Sequence, residues 1–147
     1  MKCPICHIES LKPVSLDTGL RAHQCTNCLG HWISSEDYWE WLESRPEDHN
    51  SRPPITLSTG DALLPVVDNH TANFCADCSR LMTKSKVGRG LNFYLDRCGH
   101  CHGVWFDQNE WENIQQMNLH HQVHYMFSNA WQFSVRQERY TPQKAPA

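Results

Sequence analysis

Apolar and polar residues alternate most regularly over residues 91–97, where every second position from Leu91 to Leu95 is leucine or phenylalanine. A period of two predicts a half-buried β-strand. A weaker alternation around Leu20 follows an Asp-Thr-Gly turn signal, so a less regular strand is predicted there. Both predicted strands lead into a pair of cysteines.

Two short helices are predicted further on, each preceded by a capping pattern. Ser34 and Asp107 are good N-cap residues, and Asp37 and Glu110 stand three positions later, close to a capping box. We interpret Asp107 and Glu110 as capping groups rather than catalytic carboxylates, because nothing in the sequence indicates a substrate cleft. The apolar stripes at helical spacing consist of Tyr38, Trp41 and Leu42 in the first helix and of Trp111 and Ile114 in the second.

The spacing of the cysteines indicates the kind of site around which these strands and helices are built. The 147 residues contain eight cysteines and only 39% hydrophobic residues, so metal or disulfides have to supply stability that a small core cannot. The cysteines form four C-x-x-C pairs, and 18 and 19 residues separate the pairs within each half. This spacing is that of zinc sites. The predicted ligands are Cys3, Cys6, Cys25 and Cys28 for one Zn²⁺ and Cys75, Cys78, Cys98 and Cys101 for a second.

The chain therefore contains an internal repeat of two predicted zinc ribbons, at residues 1–43 and 73–116. Each consists of a β-hairpin with two cysteine knuckles and a short helix, giving a small metal-stabilised α+β fold. Prolines make residues 44–72 a linker, which predicts semi-independent ribbons. Four thiolates leave no open position on zinc, so the sites are structural and no enzyme is predicted.

A Gly-x-Trp motif follows the second knuckle of both copies. Gly30 and Gly103 are expected to let the backbone turn tightly beside the metal. Trp32 and Trp105, two residues further on, are expected to cover the zinc site and fill the small core.

The spelling C-x-x-C-H raises haem attachment as an alternative. It occurs at residues 3–7 and 98–102, but in non-equivalent knuckles, so the repeat preserves the cysteines and not His7 or His102. No signal peptide fits before Cys3, and no apolar run is long enough for a membrane span. We therefore expect a reducing, cytoplasmic location and no membrane.

The pattern resembles the transcription-factor-IIB-type zinc-ribbon family, which consists mainly of small prokaryotic proteins. Both copies carry C-x-x-C, a hairpin, C-x-x-C-x-G-x-W and a short helix, with Ser34 and Asp37 departing from the usual Asp and Glu in the first. The resemblance implies the same eight zinc ligands and the ribbon fold. Family members often have Gly after the first knuckle, where this chain has His7 and Ser79.

An amphipathic helix is predicted over residues 117–139, followed by a disordered tail at 140–147. The helix either packs on the second ribbon or binds a partner or a second copy of the chain, since ribbons offer little surface to bury it. The candidate partner-binding residues are Leu119, Val123, Met126, Phe127 and Trp131.

The net charge of −3 provides no overall basic footprint for nucleic acid. Basic residues do cluster on the second hairpin, as a candidate phosphate-binding surface. We expect a zinc-binding adaptor, with a protein partner favoured over nucleic acid, possible roles including transcription, and a thiol-based zinc or redox sensor as the alternative. The candidate nucleic-acid contacts are Arg80, Lys84, Lys86 and Arg89.

Overall fold

The computed structural model describes residues 1–44 and 63–140. It confirms the predicted small α+β fold, in which three strands and a helix occur twice in the same order. The first unit contains β1 (Leu11–Asp17), β2 (Leu20–Cys25), β3 (His31–Ile33) and α1 (Ser35–Glu43). The second contains β4 (Met82–Gly88), β5 (Leu91–Cys98), β6 (Val104–Phe106) and α2 (Glu110–Gln116).

The two ribbons share one six-stranded sheet, in the order β1-β2-β3-β6-β5-β4. The short strands β3 and β6 pair antiparallel at its centre, with Trp32 opposite Trp105. The expectation of semi-independent ribbons is therefore wrong. A three-residue strand has little stability by itself. Pairing of β3 with β6 provides hydrogen-bond partners for the backbone groups on the side of each strand that its own ribbon leaves open.

The central tryptophans also correct the interpretation of the Gly-x-Trp motif. Gly30 and Gly103 are absent from the positive-φ residues, so no left-handed turn requires them. Instead, a Cβ on Gly30 would overlap the indole of Trp105, and a Cβ on Gly103 would overlap the indole of Trp32. Each tryptophan therefore lies against the glycine of the other ribbon, and the two ribbons interlock reciprocally.

The opposite face of the sheet carries the main hydrophobic core. Ile33, Val104 and Phe106 alternate with the tryptophans along β3 and β6 and contribute to this core. Helices α1 and α2 meet over it, where the rings of Trp41 and Trp111 lie 5.6 Å apart. The core thus spans both repeats, which explains how a chain with modest hydrophobic content buries five of its tryptophans.

The C-terminal segment differs from the single helix predicted over residues 117–139. It consists of two 3-10 turns, His120–Gln122 and Tyr125–Phe127, followed by α3 (Asn129–Tyr140). Helix α2 ends because Asn118 adopts a left-handed φ of 58°. A new helix begins because the hydroxyl of Ser128 accepts the backbone N–H of Trp131 at 3.1 Å.

This segment fastens the two ribbons together. The hydroxyl of Tyr38 in α1 donates to the carbonyl of His120 at 2.8 Å and accepts the N–H of Val123 at 3.3 Å. On the other ribbon, the indole N–H of Trp131 donates to the carbonyl of Val87 at 2.8 Å. Residues 45–62 of the predicted linker and residues 141–147 of the predicted tail lie outside the described residues, whereas Tyr140, the first residue of that tail, ends α3.

Candidate metal centres

Each ribbon brings its four cysteine sulfurs to one point. In the first, the Sγ atoms of Cys3 and Cys28 are 3.7 Å apart and those of Cys6 and Cys25 are 3.8 Å apart. In the second, the corresponding distances are 3.4 Å for Cys75 and Cys101 and 3.5 Å for Cys78 and Cys98. Four sulfurs placed 2.3 Å from a tetrahedral zinc ion would be about 3.8 Å apart.

All four sulfurs of each group lie within 4.8 Å of one another. None of the eight cysteines forms a disulfide. The chain therefore has two four-cysteine sites that suit two zinc ions, as predicted. Each set of four thiolates would complete the coordination of zinc and leave no position for water, which is the arrangement of a structural site.

The four knuckles share one hydrogen-bond pattern. The Sγ of the first cysteine of each pair accepts two backbone N–H groups, at 3.2–3.4 Å, from the residues two and three positions later. Such donors stabilise a thiolate, which is the form that binds metal. A C-x-x-C spacing supplies this geometry locally, so four separate turns converge on two equivalent sites.

Two further donors to sulfur occur in the first ribbon and were not predicted. The hydroxyl of Ser10 lies 3.0 Å from the Sγ of Cys25, and the side-chain amide of Asn27 donates to the Sγ of Cys6 at 3.2 Å. Asn27 lies between Cys25 and Cys28, so the sequence already indicated that its side chain would be near the zinc site. Ser10 carried no comparable signal, since it reaches the sulfur only through the folded hairpin.

The residue after each knuckle adopts the left-handed conformation, with φ between 63° and 66°. Its N–H returns to the carbonyl of the first cysteine at 2.9–3.1 Å and closes the turn. Glycine suits this conformation, and a side chain there costs roughly 1–2 kcal/mol. His7 and His102 of the C-x-x-C-H spellings are such closing residues, and both are exposed. The other two are Leu29 and Ser79.

The metal-free thiols differ in acidity. The hydrogen bond from Cys28 lowers the pKa of Cys3 to about 5, and it raises the pKa of Cys28 itself. Burial works against ionisation of Cys98, but the backbone N–H groups of Cys101 and His100 outweigh it and lower its pKa to about 7. Each site thus contains at least one thiol with a lowered pKa, and zinc displaces the remaining protons.

The predicted capping groups behave differently in the two ribbons. The hydroxyl of Ser34 accepts the N–H of Asp37 at 3.1 Å and caps α1 as predicted. The Asp107 side chain does not cap α2. It accepts the indole N–H of Trp105 at 2.9 Å and both the backbone and side-chain N–H groups of Asn69. Only the reverse half of the capping box forms, where Glu110 accepts the Asp107 N–H at 2.7 Å.

These acids belong to a carboxyl cluster that holds residues 68–73 on the second ribbon. The carboxylate oxygens of Asp68, Asp107 and Glu110 lie within 4.8 Å of one another. Burial, followed by the charge of Asp107, raises the pKa of Glu110 to about 11. Glu110 is therefore protonated near neutral pH.

Two of the four candidate nucleic-acid contacts are engaged within the fold. Lys84 forms an ion pair of 2.9 Å with the buried Asp96 and donates to Asn69. Arg89 forms an ion pair of 2.9 Å with Glu138 and lies 4.2 Å above the ring of Trp131. The hairpin thus uses two of the four charges to hold its own neighbours, and phosphate binding at this surface stays a prediction. The remaining candidates are Arg80 and Lys86.

The candidate partner-binding residues are likewise mostly internal. Between 0% and 7% of the surface of Leu119, Val123, Met126 and Trp131 is exposed, and Phe127 is partly buried against the same core. These side chains therefore belong to the core rather than to a binding surface, which corrects the expectation that they contact a partner. They fill the space above the shared sheet, which two separate ribbons would not have offered. Oligomerisation through the C-terminal helix stays a prediction.

The fold and the sites define a protein with two zinc ribbons joined in one sheet. Residues 2–44 match the family model described as transcription factor zinc-finger, the TFIIB-type zinc ribbon. The first ribbon is thus similar to the zinc ribbons of this family, and the second cysteine cluster suggests a second copy of the same pattern. No curated protein and no solved structure matches the chain. Among the described residues, no helix combines the length and apolar character that a bilayer span needs.

Proposed function

We propose that this protein is a non-enzymatic zinc-ribbon adaptor that binds a protein partner. The observation that carries the proposal is the closed four-thiolate arrangement of both metal centres. A zinc ion held by four thiolates has no site for substrate or water, so its contribution is to hold the fold. Function then belongs to the surfaces that the ribbons display.

The distribution of charge favours a protein partner over nucleic acid. The first ribbon, residues 1–43, contains three basic and six acidic residues. On the second ribbon, Lys84 and Arg89 are already paired with acids. Nucleic-acid binding relies on several cations that are free to replace counterions at phosphates. The family description makes a transcription-related process the first to test.

The test uses the zinc-loaded full chain, with metal content measured on the same sample. The chain is crosslinked in host extract with and without nuclease, and captured proteins are identified by mass spectrometry. Binding of labelled DNA and RNA is measured in parallel by fluorescence anisotropy over a range of salt. We expect one set of proteins to be captured regardless of nuclease treatment.

Capture that depends on nucleic acid would contradict the proposal. So would tight, steeply salt-dependent nucleic-acid binding that is lost when Arg80 and Lys86 are both replaced by glutamate. Lys2, an exposed lysine of the first ribbon, provides the matched control substitution.

A thiol-based zinc or redox sensor is the second candidate, and one observation favours it. The first cysteine of each knuckle is buried, whereas the second is partly exposed. Oxidants can therefore reach four of the eight ligands. A sensor should release zinc in mild peroxide and regain it after reduction, whereas an adaptor should keep both ions.

A further inference from the structure

The outer side of α1 presents an exposed acidic surface with one aromatic ring in it. Glu36, Trp39, Glu40 and Glu43 are all exposed and stand at positions i, i+3, i+4 and i+7 of the helix. This spacing places them on one helical face. We call this set the acidic face of α1. Together with Arg21 and Asp37 it lines a shallow depression of about 470 Å³.

Two of the three glutamates on this face do not stabilise the helix, whereas Glu36 stands in the first turn, where a negative charge is favourable. The last turn of α1 contains no basic residue, so Glu40 and Glu43 lie near the negative end of the helix dipole. Glu36 and Glu40 are one turn apart and repel each other. Arg21 is an ion-pair partner of Asp37 at 3.0 Å and of Glu40 at 2.9 Å. Within the described part of the chain, Glu36 and Glu43 have no such partner.

The exposed indole of Trp39 is held in place by two neighbouring rings. The side chain of Trp39 is 43% exposed, although five other tryptophans of this chain are buried. One face of its indole stacks on His124, with ring centroids 5.2 Å apart and an interplanar angle of 25°. Tyr38 meets it edge-on, also at 5.2 Å. A ring fixed in this way loses little conformational freedom on binding.

An exposed indole among carboxylates matches one kind of ligand. The guanidinium of arginine stacks on indole rings and pairs with carboxylates through its fork of N–H donors. We propose that the acidic face of α1 binds an arginine-containing basic segment of the partner, with an arginine stacked on Trp39 between Glu36 and Glu43. This inference rests on the proposed protein-binding function and adds the surface and the chemistry of the partner.

The test measures peptide binding by fluorescence anisotropy with the zinc-loaded full chain. The probe is a labelled nine-residue peptide with three arginines among glycines and serines, and the same peptide is also made with lysine or glutamate in their place. We expect the arginine peptide to bind best and the glutamate peptide not to bind. Trp39→Ala should weaken the arginine peptide at least tenfold, and Glu36→Gln combined with Glu43→Gln should weaken it by a similar factor.

Matched controls separate this surface from general electrostatic attraction. Phe133→Ala removes another exposed aromatic ring, which is 57% exposed on α3, and Glu9→Gln removes another exposed acid of the first ribbon. Both should leave the affinity within twofold. Every variant is checked for two bound zinc ions and an unchanged circular dichroism spectrum. Equal affinities for Trp39→Ala and Phe133→Ala, or equal binding of the glutamate peptide, would overturn the inference.

Protein capture from extract distinguishes an error in this binding surface from an error in the proposed adaptor function. If Trp39→Ala captures the same proteins from nuclease-treated extract as the unaltered chain, the adaptor function stands and this surface is wrong. If the unaltered chain captures proteins only through nucleic acid, the adaptor function itself is wrong.

Discussion

Because each tryptophan packs against the glycine of the other ribbon, a substitution in one ribbon should perturb the metal site of the other. The substitution Gly30→Ala adds one methyl group to the first ribbon. That methyl would overlap the indole of Trp105, which belongs to the second ribbon and is 1% exposed, and would lie 2.9 Å from the carbonyl oxygen of Phe106. Neither the indole nor the backbone can shift without disturbing β6.

Overpacking of this kind costs about 1–3 kcal/mol in a well-packed core. For a chain near 150 residues, each kcal/mol lowers the melting temperature by roughly 2–4 °C. We therefore expect Gly30→Ala to lower the melting temperature at fixed free zinc by about 2–12 °C. The reciprocal substitution, Gly103→Ala, should have a similar effect because its methyl would meet Trp32. The double variant should lose less than the sum, since both substitutions disrupt one interface.

Gly99 provides the matched control. It lies inside a knuckle of the second ribbon, its φ is not positive, and a Cβ there has no atom within 4 Å. Gly99→Ala should change stability by no more than about 0.5 kcal/mol. Cadmium NMR of the substituted protein reports the two sites separately, and Gly30→Ala should shift both resonances. The reasoning fails if Gly30→Ala melts like Gly99→Ala, or if only the resonance of the first site moves.

Three further predictions follow from the same structure. Chelation of zinc should unfold both ribbons in one transition of the far-UV circular dichroism, because metal binding contributes on the order of 10 kcal/mol and the sheet is shared; a native spectrum after complete zinc removal would contradict this. The pKa of Glu110 is raised from 4.5 to about 11, so its stabilisation is complete below 4.5 and is lost as pH rises toward 11. Between about pH 7 and 9, the free energy of unfolding measured in urea should fall by up to about 1.4 kcal/mol per pH unit. Glu110→Gln should abolish this fall, and the control Glu36→Gln should leave it in place. Tyr38→Phe should cost about 1–2 kcal/mol in the same assay because it removes two buried hydrogen bonds to the C-terminal segment, whereas Tyr125→Phe, whose ring is 52% exposed, should be nearly neutral.

The metal sites could be predicted from the sequence because their determinants are local. A C-x-x-C turn folds on its own residues, and the spacing between two such turns sets the hairpin that joins them. The family match to residues 2–44 and the two four-cysteine groups support that prediction. The Ser34 cap of α1 was foreseen for the same reason, since donor and acceptor are three residues apart.

The surfaces were not predicted because their determinants are distant in the sequence. Leu119 and Val123 fall at helical spacing, which describes an apolar stripe but not what covers it. The covering sheet exists only after β3 and β6 pair. Likewise, Lys84 and Arg89 count as free charges until Asp96 and Glu138 are placed beside them. A charge cluster in the sequence is therefore weak evidence for a binding surface in a protein whose repeats pack against each other.

One nonlocal feature did leave a signal in the sequence. Gly30 and Gly103 recur at the same position of both copies, each two residues before a tryptophan. A glycine kept in both copies without a positive φ is explained by close packing rather than by a turn. Two such glycines and two tryptophans in one chain fit a symmetric arrangement in which each ring contacts the other copy. The two tryptophans therefore serve both purposes: they pack with the ligand cysteines, as predicted, and they join the two ribbons into one sheet.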